Sequence, residues 1–127
     1  MKVRIVTLAC ALAAVTTLVS ASAFADGDAD KGKKVYNKCK ACHTLDAGKN
    51  RIGPSLHGIM GRTAGTVEGF KYSSAMAESG ITWDEESMSK YLEDPKGFIP
   101  GNRMAFPGLK KEDDRADVIA YIKANSM

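Results

Sequence analysis

Residues 26–127 predict an all-α fold of about three main helices, joined by loops and short helical turns. No segment alternates apolar and polar residues as a half-buried strand would, whereas apolar positions near the end of the chain recur at helical spacing. Glycine- and proline-rich stretches separate the helical patterns and suit irregular loops. A third observation says what the helices gather around. Cys39-Lys40-Ala41-Cys42-His43 reads C-x-x-C-H, the attachment pattern of a c-type haem. Two thiols at this spacing can each add to one vinyl group of the same haem, and the adjoining imidazole then lies under the iron as its proximal ligand. A bare C-x-x-C also occurs in redox dithiols and zinc knuckles, and the immediate His43 sharpens the reading. One covalently attached apolar macrocycle would supply the centre that so small a domain cannot build alone.

The elements follow in chain order. Lys2 and Arg4 form a positive start, Ile5 to Val19 is apolar, and Ala23-Phe24-Ala25 fits the small-x-small cleavage rule. Residues 1–25 therefore read as a secretory signal peptide, with cleavage before Asp26. The apolar run is short for a membrane span of about 20 residues. Cys10 lies near the start of that run and is expected to leave with it. The segment from Asp28 to Lys38 reads as a first helix running into the haem motif, its Asp residues at the end that suits the helix dipole. Asn50 to Gly69 reads as a loop. Ser73 to Ser79 reads as one or two helical turns stopped by Gly80. Thr82-Trp-Asp-Glu85 has the form of a capping box, and Pro95 ends the helix after it. Lys96 to Lys110 reads as a loop holding Pro100, Gly101, Pro107 and Gly108. A last helix, roughly Glu112 to Asn125, places Val118, Ile119 and Ile122 at helical spacing. Gly32 in the first helix is expected to let the last approach closely at Val118 and Tyr121.

Charge narrows the function. Loss of Lys2 and Arg4 with the leader lowers the 18 cationic side chains to 16, against 15 acidic ones. A chain so nearly neutral is a poor nucleic-acid binder. Haem attachment would consume Cys39 and Cys42, so no structural disulfide is expected in the mature domain.

Residues 28 to 125 resemble a class I cytochrome c, of the small kind related to bacterial cytochrome c2 and mitochondrial cytochrome c. The resemblance runs through Cys39-Lys-Ala-Cys-His43, Gly53-Pro-Ser-Leu-His-Gly58, Gly61-Arg62 and Trp83. It continues through Tyr91-Leu-Glu-Asp-Pro95, Ile99-Pro-Gly-Asn-Arg-Met-Ala-Phe106 and Ala116-Asp-Val-Ile-Ala-Tyr-Ile122. It implies the class I cytochrome c fold over residues 26–127. It also implies a soluble periplasmic electron carrier, monomeric and not an enzyme, with no stable membrane insertion after cleavage.

The sixth iron ligand must come from elsewhere in the chain, and Met60, Met76, Met88, Met104 and His57 are candidates. Met88 falls inside a predicted helix, where its ordinary role is packing. Met104 lies in a loop stiffened by Pro100 before it and Pro107 after, which suits a ligand that holds one position in two oxidation states. The resemblance places the axial methionine on Met104. A thioether is soft and neutral, favours ferrous iron and raises the potential. The resemblance further implies that the Pro54 carbonyl meets His43 Nδ1, and that the Tyr91 hydroxyl meets the methionine sulfur. It implies that Trp83 and Tyr72 donate to an inner haem propionate, with Arg62 as the nearby cation. His57 reads as a structural residue bonding across loops. Met76 and Asn102 stand where family members often carry Asn and Thr.

Lys33, Lys34, Lys38, Lys40, Lys96, Lys110 and Lys111 flank the motifs around the haem, while acidic runs such as Asp84-Glu85-Glu86 lie elsewhere. Such asymmetry steers acidic redox partners to a lysine-rich haem edge. The sequence does not name the partners: a cytochrome bc1 complex as donor, and an oxidase, reaction centre, peroxidase or dehydrogenase as partner, all stay open. Two other classes compete. A haem enzyme such as a peroxidase would need an open iron site, and a thiol redox or zinc domain would need strands or further ligands.

Overall fold

The computed structural model describes residues 26–127 and, before them, Ala14 alone; the expected signal peptide and its cleavage site lie outside the described residues. Among the described residues there are five helices: α1 Ala29–Tyr36, α2 Ser74–Ala77, α3 Glu85–Glu93, α4 Pro95–Phe98 and α5 Glu112–Asn125. Three of them, α1, α3 and α5, carry the architecture, and α2 and α4 are single turns. Among the described residues there is no strand, only an isolated antiparallel bridge between Thr63 and Thr82.

The α1 helix starts where a short acid can cap it. The Asp28 carboxylate accepts the backbone N–H of Asp30 (2.9 Å) and of Lys31 (3.1 Å), satisfying donors that the first turn leaves without partners. It packs across α5, and Gly32 sits at the crossing. A Cβ at Gly32 would overlap the Asp117 carbonyl and come within 2.8 Å of Tyr121 Cβ. The close approach is thus to Asp117 and Tyr121, with the Tyr36 and Tyr121 rings tilted against each other beside it at 5.2 Å between centroids. Val118 points further inward and is fully buried.

The α5 helix spans the residues expected of it. Val118, Ile119 and Ile122 are 0%, 2% and 4% exposed and form the centre of the core with Tyr36, Trp83, Met88, Tyr91, Ile99 and Leu109. It is covered from two sides, by α1 and by α3.

The start of α3 differs from its expected form. The capping box is built by Asp84 and Ser87, two residues beyond the Thr82–Glu85 pair: Ser87 N–H donates to Asp84 Oδ1 (2.7 Å) and Asp84 N–H to Ser87 Oγ (2.9 Å). Thr82 is extended and engaged with Thr63, so the helix cannot begin there. The loop expected from Lys96 also opens differently. Pro95 ends α3 and at once occupies the first turn of α4, where its fixed φ is an advantage and its missing N–H costs nothing. Asp94 caps this turn through the Gly97 N–H at 3.1 Å. The α2 turn, capped by Ser73, is shorter than the expected Ser73–Ser79 span: it ends at Ala77, and the positive φ of Gly80 follows three residues later.

Candidate haem site

Beyond α1 the chain continues as tight turns rather than straightening. Cys39 N–H donates to Tyr36 O (2.8 Å), and Cys42 and His43 N–H both return to Cys39 O (3.0 and 2.9 Å). The two thiols and the imidazole therefore project from one turn, as a single ligand bound at three points requires. The thiols are half-buried and not bonded to each other. Burial, with Cys42 adding to it, pushes the Cys39 thiol up to about 11. A thiol-exchange dithiol needs the opposite shift, because the thiolate is its nucleophile. Among the described residues no three His, Cys, Asp or Glu side chains come together in the manner of a zinc site.

His43 is held by the loop that follows. Its Nδ1 lies 2.7 Å from the Pro54 carbonyl, an acceptor, so Nδ1 carries the proton and Nε2 keeps its lone pair. Burial lowers the pKa of His43 and the Pro54 bond only partly opposes this, which favours the neutral imidazole, the form able to bind a metal. Gly53 makes the approach possible: a Cβ there would stand 2.7 Å from Nδ1 and 2.8 Å from Nε2. The loop is braced in turn. Ser55 Oγ donates to Asp46 O (2.6 Å), Ser55 N–H to Asn50 Oδ1 (2.9 Å), and His57 Nδ1 meets Leu45 O at 3.3 Å. His57 thus bridges loops.

Arg62, Tyr72 and Trp83 form a second group. Arg62 and Trp83 are joined through their backbones, Trp83 N–H donating to Arg62 O at 2.9 Å. The Arg62 guanidinium donates to His57 O (2.9 Å) and Ser55 O (3.1 Å), which spends two of its donors on the His57 loop. Tyr72 lies close enough to act on its charge, and the Tyr72 oxygen accepts the Val67 N–H at 3.1 Å, leaving the hydroxyl proton to donate. Trp83 is buried and tilts against Tyr91 at 5.1 Å.

Met104 and Tyr91 meet on the third side. The Tyr91 hydroxyl is 3.8 Å from Met104 Sδ and 3.4 Å from Asn102 Oδ1. Burial pushes Tyr91 up to about 12, so it remains a donor at physiological pH. Met88 is buried in α3 as packing, and Met60 and Met76 lie half-buried against the core. Asn102 is buried and bonded on every side, a part the sequence reading missed. The available signal was a short polar amide two residues before the candidate ligand, in a loop rich in proline and glycine.

These residues fit a covalently held haem. The donor set offers one imidazole nitrogen and one thioether, two thiols share a turn with the imidazole, and glycine lets the ring seat against the backbone. Apolar side chains that the protein covers only in part, among them Leu56, Met76, Leu92, Phe98, Met104 and Phe106, border the core as the faces of a flat macrocycle need. All seven lysines of the basic set, Lys33, Lys34, Lys38, Lys40, Lys96, Lys110 and Lys111, are exposed.

An all-helical domain with this thiol–imidazole turn defines a class of small haem proteins. The family model described as cytochrome c matches residues 29–126. Cytochrome c2 iso-2 of Magnetospirillum fulvum is 60% identical over 89 residues, covering 70% of this chain and 93% of that protein. Cytochrome c2 of Rhodomicrobium vannielii is 50% identical over 104 residues, 81% of this chain and 83% of its own. In structure, cytochrome cH from Methylobacterium extorquens superposes with a TM-score of 0.74 at 42% identity, covering 77% of this chain and 99% of that one. The chain belongs to the cytochrome c family, whose members bind covalent haem c and carry electrons rather than act as enzymes.

Proposed function

We propose that this protein is a soluble periplasmic electron carrier whose haem iron is held by His43 and Met104. The observation that carries the reading is the His43–Pro54 contact: with Nδ1 committed at 2.7 Å, Nε2 is the one nitrogen left to bind iron. Bound through Cys39 and Cys42, haem c supplies a reversible one-electron ferric–ferrous couple. His43 presents a neutral nitrogen that its partner carbonyl makes more basic. Met104 presents a soft sulfur that favours the reduced state, and the Tyr91 hydroxyl stands by that sulfur as a donor. Tyr72, Trp83 and Arg62 offer donors and positive charge to the haem carboxylates, which a buried anion needs. Were the iron held by both His43 and Met104, no site would be left for a substrate, and the chemistry would be confined to electron exchange.

Location and partners extend the reading. The leader pattern of residues 1–25 supports export, with a mature domain 26–127 beginning at Asp26. Among the described residues no helix is long and apolar enough to cross a membrane. The exposed lysines support docking to acidic respiratory or photosynthetic redox proteins. The candidates are a cytochrome bc1 complex as donor and an oxidase, reaction centre, peroxidase or dehydrogenase on the other side. The test is the intact mass of the purified protein, which should equal residues 26–127 plus one haem, together with its rate of reduction by a purified candidate donor. That rate should fall as ionic strength rises and the Debye length shrinks, to ~8 Å at physiological salt. A retained leader would refute export, and a salt-independent rate, unchanged in Lys38→Glu and Lys96→Glu, would refute lysine docking.

A further inference from the structure

Asn102 stands two residues before Met104 and is 9% exposed. A buried side-chain amide is costly unless its groups are paired. This one has four partners. Nδ2 donates to the Pro95 carbonyl at 2.7 Å and to the Ile99 carbonyl at 2.8 Å. Oδ1 accepts the Met104 backbone N–H at 2.9 Å and lies 3.4 Å from the Tyr91 hydroxyl. An amide has two N–H groups and an oxygen with two lone pairs; Pro95, Ile99 and the Met104 N–H take three of these, and the Tyr91 hydroxyl meets the fourth with one proton that it shares between Asn102 Oδ1 and Met104 Sδ.

The partners are not a random set. Pro95 begins α4 and Ile99 closes it, and α4 packs on α3. The two donors therefore anchor Asn102 to the helical body. The two acceptor contacts reach the Met104 backbone and the tyrosine whose hydroxyl is 3.8 Å from Met104 Sδ. The arm beyond has few bonds of its own. Among the described residues the backbone N–H groups of 103–108 make one backbone–backbone bond, Phe106 to Met104, before Leu109 N–H reaches back to α3 at Leu92.

We infer that Asn102 is a positioning residue: its amide clamps the Met104 arm to α4 and α3 and sets where the thioether and the Tyr91 hydroxyl meet. The inference rests on Met104 being the iron ligand. A residue that merely fills space can be changed at a cost in stability alone. A clamp, when changed, alters how often the sulfur leaves the iron.

The test uses the haem-loaded ferric protein, with cyanide as the probe that binds iron when the sulfur leaves. Asn102→Ala should bind cyanide roughly tenfold faster than the parent, the effect of losing the bond to Met104 N–H and leaving that group unpaired. It should also lose the near-infrared sulfur-to-iron band at a lower pH. Asn102→Thr, whose hydroxyl can replace one of the four contacts, should fall between the two, and it decides the matter if the alanine variant fails to load haem. Gly32→Ala serves as a control, with lowered thermal stability and an unchanged cyanide rate. Wild-type cyanide rates and pH midpoints in both Asn102 variants would overturn the clamp. A band that survives in Met104→Ala, with no faster cyanide binding, would instead show that the ligand reading is wrong, and the clamp would fall with it.

Discussion

Arg115 of α5 reaches Ser89 of α3, its Nε donating to Ser89 Oγ at 3.1 Å in the protein interior. The same guanidinium donates through Nη1 to the carbonyls of Leu109 (2.8 Å) and Lys110 (3.0 Å). A single buried cation thus joins the last helix, the third helix and the end of the loop that carries Met104. Its carboxylate neighbour is weak by comparison: Glu93 lies 4.0 Å away with its side chain 55% exposed.

Removal of Arg115 should therefore act through its hydrogen bonds more than its charge. Arg115→Met is expected to cost about 2–4 kcal/mol, because it strands buried acceptors that the fork geometry satisfies together. Arg115→Lys should recover part of this, and Glu93→Gln should cost under about 1 kcal/mol, as exposed pairs do. Denaturant unfolding of the three variants measures the order, and a larger loss in Glu93→Gln than in Arg115→Met would reverse the account.

Gly32→Ala tests the crossing of α1 and α5. Alanine is the better helix former by about 1 kcal/mol, so propensity alone predicts stabilisation. The structure predicts the opposite, since the added methyl overlaps the Asp117 carbonyl and sits 2.8 Å from Tyr121 Cβ. Overpacking of this kind costs about 1–3 kcal/mol. A raised melting temperature would show that the two helices part without penalty.

Asp84 gives a pH-dependent case. The Ser87 backbone N–H, and after it the Ser87 hydroxyl, hold its carboxyl below the ordinary value of 3.8. A depressed carboxylate adds stability that is complete above its ordinary value and is lost as pH falls through the folded value. At neutral pH Asp84→Ala should lose about 1 kcal/mol, the usual worth of an N-cap. The gap between the two proteins should close in acid, below pH 3.8. Melting curves at pH 7 and pH 3 check this, and a gap that widens in acid would contradict the cap assignment.

Local rules explain what could be read early. The bounds of α5 follow from the spacing of Val118, Ile119 and Ile122, and the haem turn from five consecutive residues. The position of the α3 cap did not follow, because two capping patterns overlap between Thr82 and Ser87, and the choice between them is made by Thr63, distant in sequence. Proline 95 misled in a similar way: a residue that stops one helix also suits the first turn of the next. Arg115 lay beyond reach for a different reason, and Asn102 offered only its polarity beside Met104 as a signal. Each satisfies carbonyls that belong to turns and loops, and a carbonyl leaves no mark in the sequence.

The mechanism depends on Met104 being the sixth ligand, and the structure supplies the controls. The ferric protein should show the weak near-infrared band of sulfur-to-iron ligation. Met104→Ala should lose it, lower the reduction potential and open the ferrous protein to carbon monoxide. Met104→His should keep six-coordination and still lower the potential, because imidazole favours ferric iron more than a thioether does. Met88→Ala should leave the band intact while costing about 2–5 kcal/mol in stability, since Met88 is 5% exposed within the core. Met76→Ala should also leave the band intact, with a smaller loss, because Met76 is only half-buried. Tyr91→Phe should keep the band and shift the potential, as it removes the one hydroxyl placed 3.8 Å from the sulfur. If the band outlasts Met104→Ala and vanishes in Met76→Ala or Met88→Ala, the ligand is misassigned. If the native protein lacks the band and binds carbon monoxide freely, the iron has an open position, and a haem enzyme or sensor replaces the electron carrier.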